Sequence, residues 1–296
     1  MADIDNCTKF WQNNNQLLVF ITLLVSVINF LEETMQLVGP ELAWAIGNLR
    51  PSSLAGFCLN FFRVPRQELK TESGTFWLDP ASHPAKELRR EGVYDKMMSG
   101  ILKAAAKPGT VAVDIGANEG ILTTLLSKAV GSHGRVIAVE PQSRLQRVIA
   151  KNLELNSCKN VVVSHRAITN GEGVISLPLA RRCNTGATSL YGSSKRTEQV
   201  YTLSLQQLFS LHNIEQCSVL KIDAEGAEYD ILEAAMDLLF SRRIETLAVD
   251  LHDEILWKQK RSTGPIHHWL TKAGYDLIRG SDPALYTLDR GLKTRL

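Results

Sequence analysis

Residues 111–120, Val-Ala-Val-Asp-Ile-Gly-Ala-Asn-Glu-Gly, constrain this chain more than any other stretch. They open as a short apolar run with β-branched residues, the pattern of a strand buried on both faces. Gly116 and Gly120 then break the run into a turn, and an apolar helical segment follows over 121–128. Strand, glycine turn and helix let a ligand approach bare backbone beside a helix N-terminus. A second strand over 135–139 ends in Glu140. An acid at that point, about twenty residues past the loop, can accept hydrogen bonds from both ribose hydroxyls. One βαβ unit therefore offers a nucleoside site.

The loop also says which nucleoside. A dinucleotide loop needs Gly-x-Gly-x-x-Gly, so that backbone amides approach a pyrophosphate. Here the spacing is Gly-x-x-x-Gly, Asp114 ends the strand and Glu119 sits inside the loop. Two carboxylates repel a pyrophosphate and suit a cation. S-adenosylmethionine brings a sulfonium, an ammonium and a ribose without phosphate, and it is the cofactor this loop predicts. The competing readings are an NAD-dependent oxidoreductase on the same sheet and a purely structural βαβ unit.

The rest of the chain alternates in the same way. Helical spacing over 94–106 stops at Lys107-Pro108-Gly109. Helices are predicted over 143–155, 205–211, 227–240 and 265–273, and strands over 75–78, 160–164, 199–203, 218–223, 246–251, 275–278 and 285–288. Residues 174–177 read as a hairpin arm after Asn170-Gly171, and 181–196 as an aperiodic loop. The pattern predicts an α/β, three-layer Rossmann-like fold, its sheet mainly parallel with helices on both faces. The length, 296 residues, allows one large domain over 66–296 plus an apolar, helical appendage over 1–65.

Basic and acidic residues number 33 and 31, so no long-range field points to nucleic acid, and no nucleic-acid partner is predicted. The five cysteines are scattered without a Cys-x-x-Cys pair, which predicts free thiols, not a zinc site or a disulfide framework. In the appendage, residues 17–31 are almost wholly apolar. As a helix they span roughly 22 Å, less than a hydrocarbon core of roughly 30 Å. A second apolar patch, 42–62, carries Trp44, Phe57, Phe61 and Phe62 and is bordered by Arg50, Arg63 and Arg66. Aromatics beside arginines suit a membrane interface. The expectation is membrane association through residues 17–31. The alternatives are helices packed on a cytoplasmic catalytic domain and a signal peptide. Oligomeric state is not legible.

Lys221-Ile-Asp-Ala-Glu-Gly-Ala-Glu228 is the second unusual stretch. It sets Asp223, Glu225 and Glu228 at the carboxyl end of a buried strand, the edge where open α/β sheets bind ligands. Alternation puts Lys221 and Asp223 on one face, and a buried lysine needs such a partner. The bland reading is that Glu225 and Glu228 merely favour the next helix N-terminus. Gly226 fits a tight turn passing close to a ligand. The fifth core strand ends in Asp250-Leu251-His252-Asp253, and His252 is suited to relay a proton. Asp250, His252 and Asp223 also form a conceivable ligand set for a divalent ion, although no metal is predicted. Tyr191-Gly-Ser-Ser-Lys195 matches a dehydrogenase Tyr-x-x-x-Lys pair, but it lies in a Gly/Ser loop and reads as coincidence.

Together Val-Asp-Ile-Gly-Ala-Asn-Glu-Gly, Val-Glu-Pro141 and Lys-Ile-Asp-Ala-Glu-Gly-Ala-Glu resemble the FkbM-type S-adenosylmethionine-dependent methyltransferases over roughly 66–288. The 221–228 block is the most specific part. The resemblance implies a seven-stranded class I fold with the last strand antiparallel. It implies that Asp114, Gly116, Ala117, Asn118 and Gly120 border the methionine part of the cofactor, with Asp223 beside them. It puts Glu140 on the ribose, Pro141 next to it, and the 165–167 turn, with Arg166 and Ala167, near the adenine. Residues 184–189 resemble the family's Asn/Gly/Ser-rich insertion over the acceptor site. Family members typically methylate a hydroxyl oxygen on sugars, polyketides or related small molecules. The expected activity is O-methylation of a sugar, lipid-linked glycan or other small molecule, with Asp223, His252 and Glu225 as catalytic candidates, in that order for the base. The alternatives are the oxidoreductase and a non-catalytic cofactor-binding scaffold at a membrane. The strand-five ending departs from the family, with Asp250-Leu-His252 where a glutamate commonly precedes the histidine.

Overall fold

The computed structural model describes residues 40–49, 52–61, 64–280, 283–289, 291–294 and 296. The apolar run at 17–31, with Arg50, Phe62 and Arg63, lies outside them. The chain divides into two compact units, one of Met1–Gln67 with Asp79–Ala81 and one of Glu68–Leu78 with Ser82–Leu296.

In the first unit, α1 (Pro40–Gly47) and α2 (Ser52–Phe61) bury Trp44, Ala55 and Leu59. Phe57 and Phe61, one helical turn apart, stack at 5.9 Å on the exposed side of α2. Among the described residues no helix is long and apolar enough to cross a membrane.

All but the first residue of the hairpin β1 (Gln67–Thr71) and β2 (Gly74–Leu78) belongs to the second unit, followed by α3 (His83–Glu91) and α4 (Lys96–Ala105). Next come β3 (Val111–Ile115), α5 (Ile121–Val130), β4 (Arg135–Val139), α6 (Ser143–Leu155) and β5 (Val161–Ser164). A side sheet of β6 (Ala167–Ile168), β7 (Gly173–Pro178) and β8 (Thr197–Leu203) interrupts the alternation. It resumes with α7 (Leu205–Leu211), β9 (Cys217–Ile222), α8 (Glu228–Ala234), α9 (Met236–Phe240) and β10 (Ile244–Val249). The chain closes with α10 (Asp253–Lys258), α11 (Gly264–Lys272), β11 (Asp276–Arg279) and β12 (Ala284–Thr287).

The main sheet has seven strands in the order β11-β12-β10-β9-β3-β4-β5. The pairs among β10, β9, β3, β4 and β5 are parallel, and β12 runs antiparallel to both its neighbours. Alternation decides the layers. Val113, Leu220, Ile222, Leu247 and Val249 pack with α7, α8 and α11 on one face, while Ala112, Val136, Val219 and Ala248 meet α4 and α5 on the other. Asn152 of α6 accepts from Trp77 N at 2.6 Å and donates to Glu119 O at 2.7 Å, joining helix, hairpin and glycine turn.

Some local expectations change. The helix expected over 227–240 is two, because Ala235 closes an i→i−3 turn on Leu232 O. The strand expected at 199–203 joins the side sheet through Thr202↔Ala167 and Leu203↔Ile168, not the main sheet. Helix α3 was signalled by Ser82, whose side chain accepts from Ala85 N, by Pro84 and by the left-handed Gly92 cap. Its lack of a broad apolar face hid it.

Candidate active site

The βα turns at the carboxyl ends of β3, β4, β9 and β10 surround one cavity. Gly116 starts the first turn at φ +80°, and a Cβ there would lie 1.9 Å from Asp223 O, so the turn demands glycine. The turn is hooked over β4. Gly116 N and Ala117 N both donate to Val139 O at 3.0 Å, Asn118 N to Glu140 Oε2 at 2.8 Å, and Gly120 N to Ala117 O at 2.8 Å. Those amides are committed inside the protein, and the turn does not present the row of N–H groups that a diphosphate needs.

Glu140 is 2% exposed and lines the cavity. Its Oε1 accepts from Gln142 N at 2.9 Å. Burial pushes its carboxyl up to about 7, against the pull of these two amides. Each oxygen retains acceptor capacity beyond its single amide. Pro141, Arg166 and Ala167 line the same end of the cavity, with Ile168 and Leu177 of the side sheet.

Asp114 and Lys221 are register partners on β3 and β9, fully buried, with Nζ 3.2 Å from Oδ1. Lys221 also reaches Asp223 Oδ2 at 3.4 Å and donates to Gly116 O at 2.8 Å and Ile115 O at 3.3 Å. Burial opposes its charge, but the two carboxylates outweigh burial and hold its pKa above the usual lysine value. Thr123 of α5 donates to Asp114 Oδ2 at 2.6 Å.

Asp223, Glu225 and Asp250 line the opposite end, with Tyr94. Glu225 sits at φ +49°, a left-handed conformation that is strained for a side chain of its size. Its carboxyl is pushed up to about 7, chiefly by burial, with Asp223 and Glu228 adding and His252 opposing. Behind them His252 Nδ1 meets Glu228 Oε1 at 3.0 Å, while Nε2 lies 3.5 Å from Glu225 Oε2 and 3.9 Å from Asp223 Oδ1. Burial disfavours a charged imidazole, yet Glu228, Glu225 and Asp223 raise its pKa to about 10. Glu228 also accepts from Ala224 N and Gly226 N, at 3.0 and 3.1 Å. Tyr94 is half-buried; burial, followed by Asp223, holds its hydroxyl well above the usual phenol range.

A strap covers the cavity. The 3-10 segment Arg182–Ala187 places Thr185, which donates to Asn118 Oδ1 at 2.9 Å and accepts through its carbonyl from Gln142 Nε2 at 3.2 Å. Thr188 donates to Gln142 Oε1 at 3.0 Å, and Ser189 to Glu225 O at 2.5 Å. Tyr191 donates to Asp230, outside any helix, so it forms no pair of the dehydrogenase kind.

Of the residues singled out by sequence, Gly116, Asn118, Glu140, Pro141, Arg166, Ala167, Asp223 and Glu225 line the cavity. Asp114, Ala117, Gly120 and His252 do not. Asp114 is held inward by Lys221 and Thr123, Ala117 packs against α6, and Gly120 starts α5 beside Ile149. Glu119 also turns inward, where Ser82 donates to it at 3.3 Å. The acids lining the cavity are therefore Glu140, Asp223, Glu225 and Asp250. Gly226, at φ +99°, makes room for Ile255, 2.3 Å from where its Cβ would be. Tyr94, Gln142, Thr188 and Leu190 line the cavity without having been anticipated. Only Thr188 lay in a stretch marked as overhanging the site.

The family model described as "Methyltransferase FkbM domain" matches residues 114–277, over half of the chain. The chain belongs to the FkbM methyltransferase family. Members of this family use S-adenosylmethionine. Among solved structures, the chain is similar to a SAM-dependent methyltransferase from Aquifex aeolicus, at 17% identity and TM-score 0.34, covering 69% of this chain and 87% of that one. It is similar to a SAM-dependent O-methyltransferase from Thermotoga maritima, at 15% identity and TM-score 0.36, covering 76% and 80%. A third is fibrillarin from Aeropyrum pernix with natively bound S-adenosyl-L-methionine, at 14% identity and TM-score 0.36, covering 64% and 73%. No curated protein matches.

Proposed function

We propose that this chain methylates a hydroxyl oxygen of a sugar, a lipid-linked glycan or another small molecule. The observation that carries the reading is the pairing of a phosphate-unfriendly glycine turn with Glu140. The turn's amides are spent on Val139, Glu140 and Ala117, and the buried carboxylate facing the cavity is suited to two ribose hydroxyls. Bound S-adenosylmethionine supplies an electrophilic methyl carbon on a cationic sulfur.

The residues do the rest. Glu140 holds the ribose, and Ala167, Ile168 and Leu177 offer apolar walls for the adenine. Lys221 fixes the carbonyls of Ile115 and Gly116, which sets the turn. Asp223 faces the cavity and is the carboxylate placed to take the acceptor's hydroxyl proton. Positioning acceptor oxygen in line with the methyl carbon supplies several kcal/mol of the barrier reduction. Membrane association through 17–31 would bring lipid-linked acceptors to this site.

Calorimetric titration of the purified chain with S-adenosylmethionine and with NAD separates transferase from oxidoreductase. Incubation with methyl-labelled donor and fractionated glycan, lipid, small-molecule and RNA pools then identifies the acceptor. Donor binding with label in a hydroxyl-bearing glycan, lipid or small molecule supports the reading. NAD binding, label in RNA, or binding without transfer to any pool overturns it.

A further inference from the structure

We propose that Asp223, Glu225 and His252 bind a first-row divalent cation of the Mn2+ kind beside the donor cavity, deepening the function proposed above, on which it rests. The three side chains come from two different βα turns, after β9 and β10, yet one donor atom of each lies within 4.8 Å of the others. Nε2 of His252 is 3.5 Å from Glu225 Oε2 and 3.9 Å from Asp223 Oδ1. Ligands about 2.1 Å from a shared ion at angles near 90–110° stand roughly 3.0–3.5 Å apart. Nε2 of His252 and Oε2 of Glu225 already stand at that spacing, and shifts of up to about an ångström close the rest of the set. Two carboxylates and one imidazole are a mixed hard and borderline donor set, suited to a first-row divalent ion.

A second observation lies behind the histidine. Nδ1 is held by Glu228 Oε1 at 3.0 Å, and that oxygen is itself anchored by Ala224 N and Gly226 N. A histidine that binds metal commonly gives its other nitrogen to such a carboxylate, which fixes the ring and aims the free nitrogen. Glu228 is fully buried, and its Oε2 meets no hydrogen-bond partner among the described residues. Asp114, Asp223, Glu225 and Glu228 bring four carboxylates to this cluster, and a bound cation adds positive charge beside them. Three protein ligands leave about three positions of a six-coordinate ion for water or acceptor oxygens. That selects acceptors with two adjacent oxygens, such as a vicinal diol of a sugar.

The test uses the full chain, freed of metal with a chelator and titrated with Mn2+, with and without S-adenosylmethionine. Loss of the free-ion EPR signal measures binding, and spin-echo modulation detects a coordinated imidazole nitrogen. The expected result is a single site with nitrogen modulation. Glu225→Gln and Asp223→Asn should each weaken it about tenfold or more, and His252→Ala should abolish the modulation. Glu225→Gln carries the test should His252→Ala fail to fold, because the Glu225 carboxylate leaves the Glu228 anchor intact. Donor binding without Mn2+ binding, or Mn2+ binding that Glu225→Gln and Asp223→Asn leave unchanged, overturns the cation site alone. Mn2+ binding without donor binding overturns the transferase reading instead.

Discussion

Replacing Lys221 by Met tests whether the strand-edge ion pair holds the site together. Lys221 and Asp114 are 2% and 0% exposed and 3.2 Å apart, so water cannot reach a carboxylate left behind. Removing one partner of a buried pair costs about 3–5 kcal/mol, because the other charge stays desolvated. Thr123 continues to donate to Asp114, and Ile115 O still receives Asp223 N at 3.1 Å, while Gly116 O loses the lysine donor. Asp223, 28% exposed, is rehydrated and adds little. At about 2–4 °C per kcal/mol for a domain of this size, the expected fall in Tm is roughly 6–20 °C. Thermal unfolding followed by circular dichroism, without donor, measures the shift, and urea unfolding measures the free-energy loss. Asp114→Asn combined with Lys221→Met should recover much of the loss, since neither charge then remains. A loss under about 1 kcal/mol, or a double variant as unstable as the sum of the singles, would refute the argument.

Three further outcomes follow from the same geometry. Glu140 has its carboxyl at about 7 in the folded chain, against 4.5 for an unperturbed glutamate, so between those values the folded state binds the proton more tightly. Its contribution to stability is therefore most favourable below pH 4.5 and falls as pH rises through 7, by about 3 kcal/mol in all. Glu140→Gln should lose correspondingly less stability between pH 5 and 8, and parallel unfolding profiles would contradict this. Gly116→Ala pushes a Cβ onto Asp223 O at 1.9 Å, and should abolish donor binding by calorimetry while costing several kcal/mol. Thr185→Val removes the hydroxyl bonded to Asn118, which should cost about 0.5–1.5 kcal/mol and speed proteolysis of the strap; an unchanged cleavage rate would show that the bond does not hold it.

The short-range features were readable from residues alone. The βαβ unit announces itself because apolar runs, glycines and helical spacing are local properties, and β3, α5 and β4 lie where that pattern puts them. Lys221 and Asp223 share a face because strand side chains alternate, and they pair at 3.4 Å. The long-range pairings were not readable. Asp114 reads from the sequence as a strand-end acid that suits a cationic ligand, and only the β3–β9 register sets it beside Lys221 and turns it inward. His252 and Glu228 are 24 residues apart, and their contact depends on how β10 and α8 pack. Tyr94 and Gln142 join the cavity from before and after the glycine turn, and only tertiary packing brings them there. Local chemistry thus selected the kind of site, an acid-lined nucleoside cleft at a strand edge. Which acids face the cleft was decided by strand register and helix packing, because a carboxylate's direction is set by the charge it meets in space and not by its neighbours in the chain.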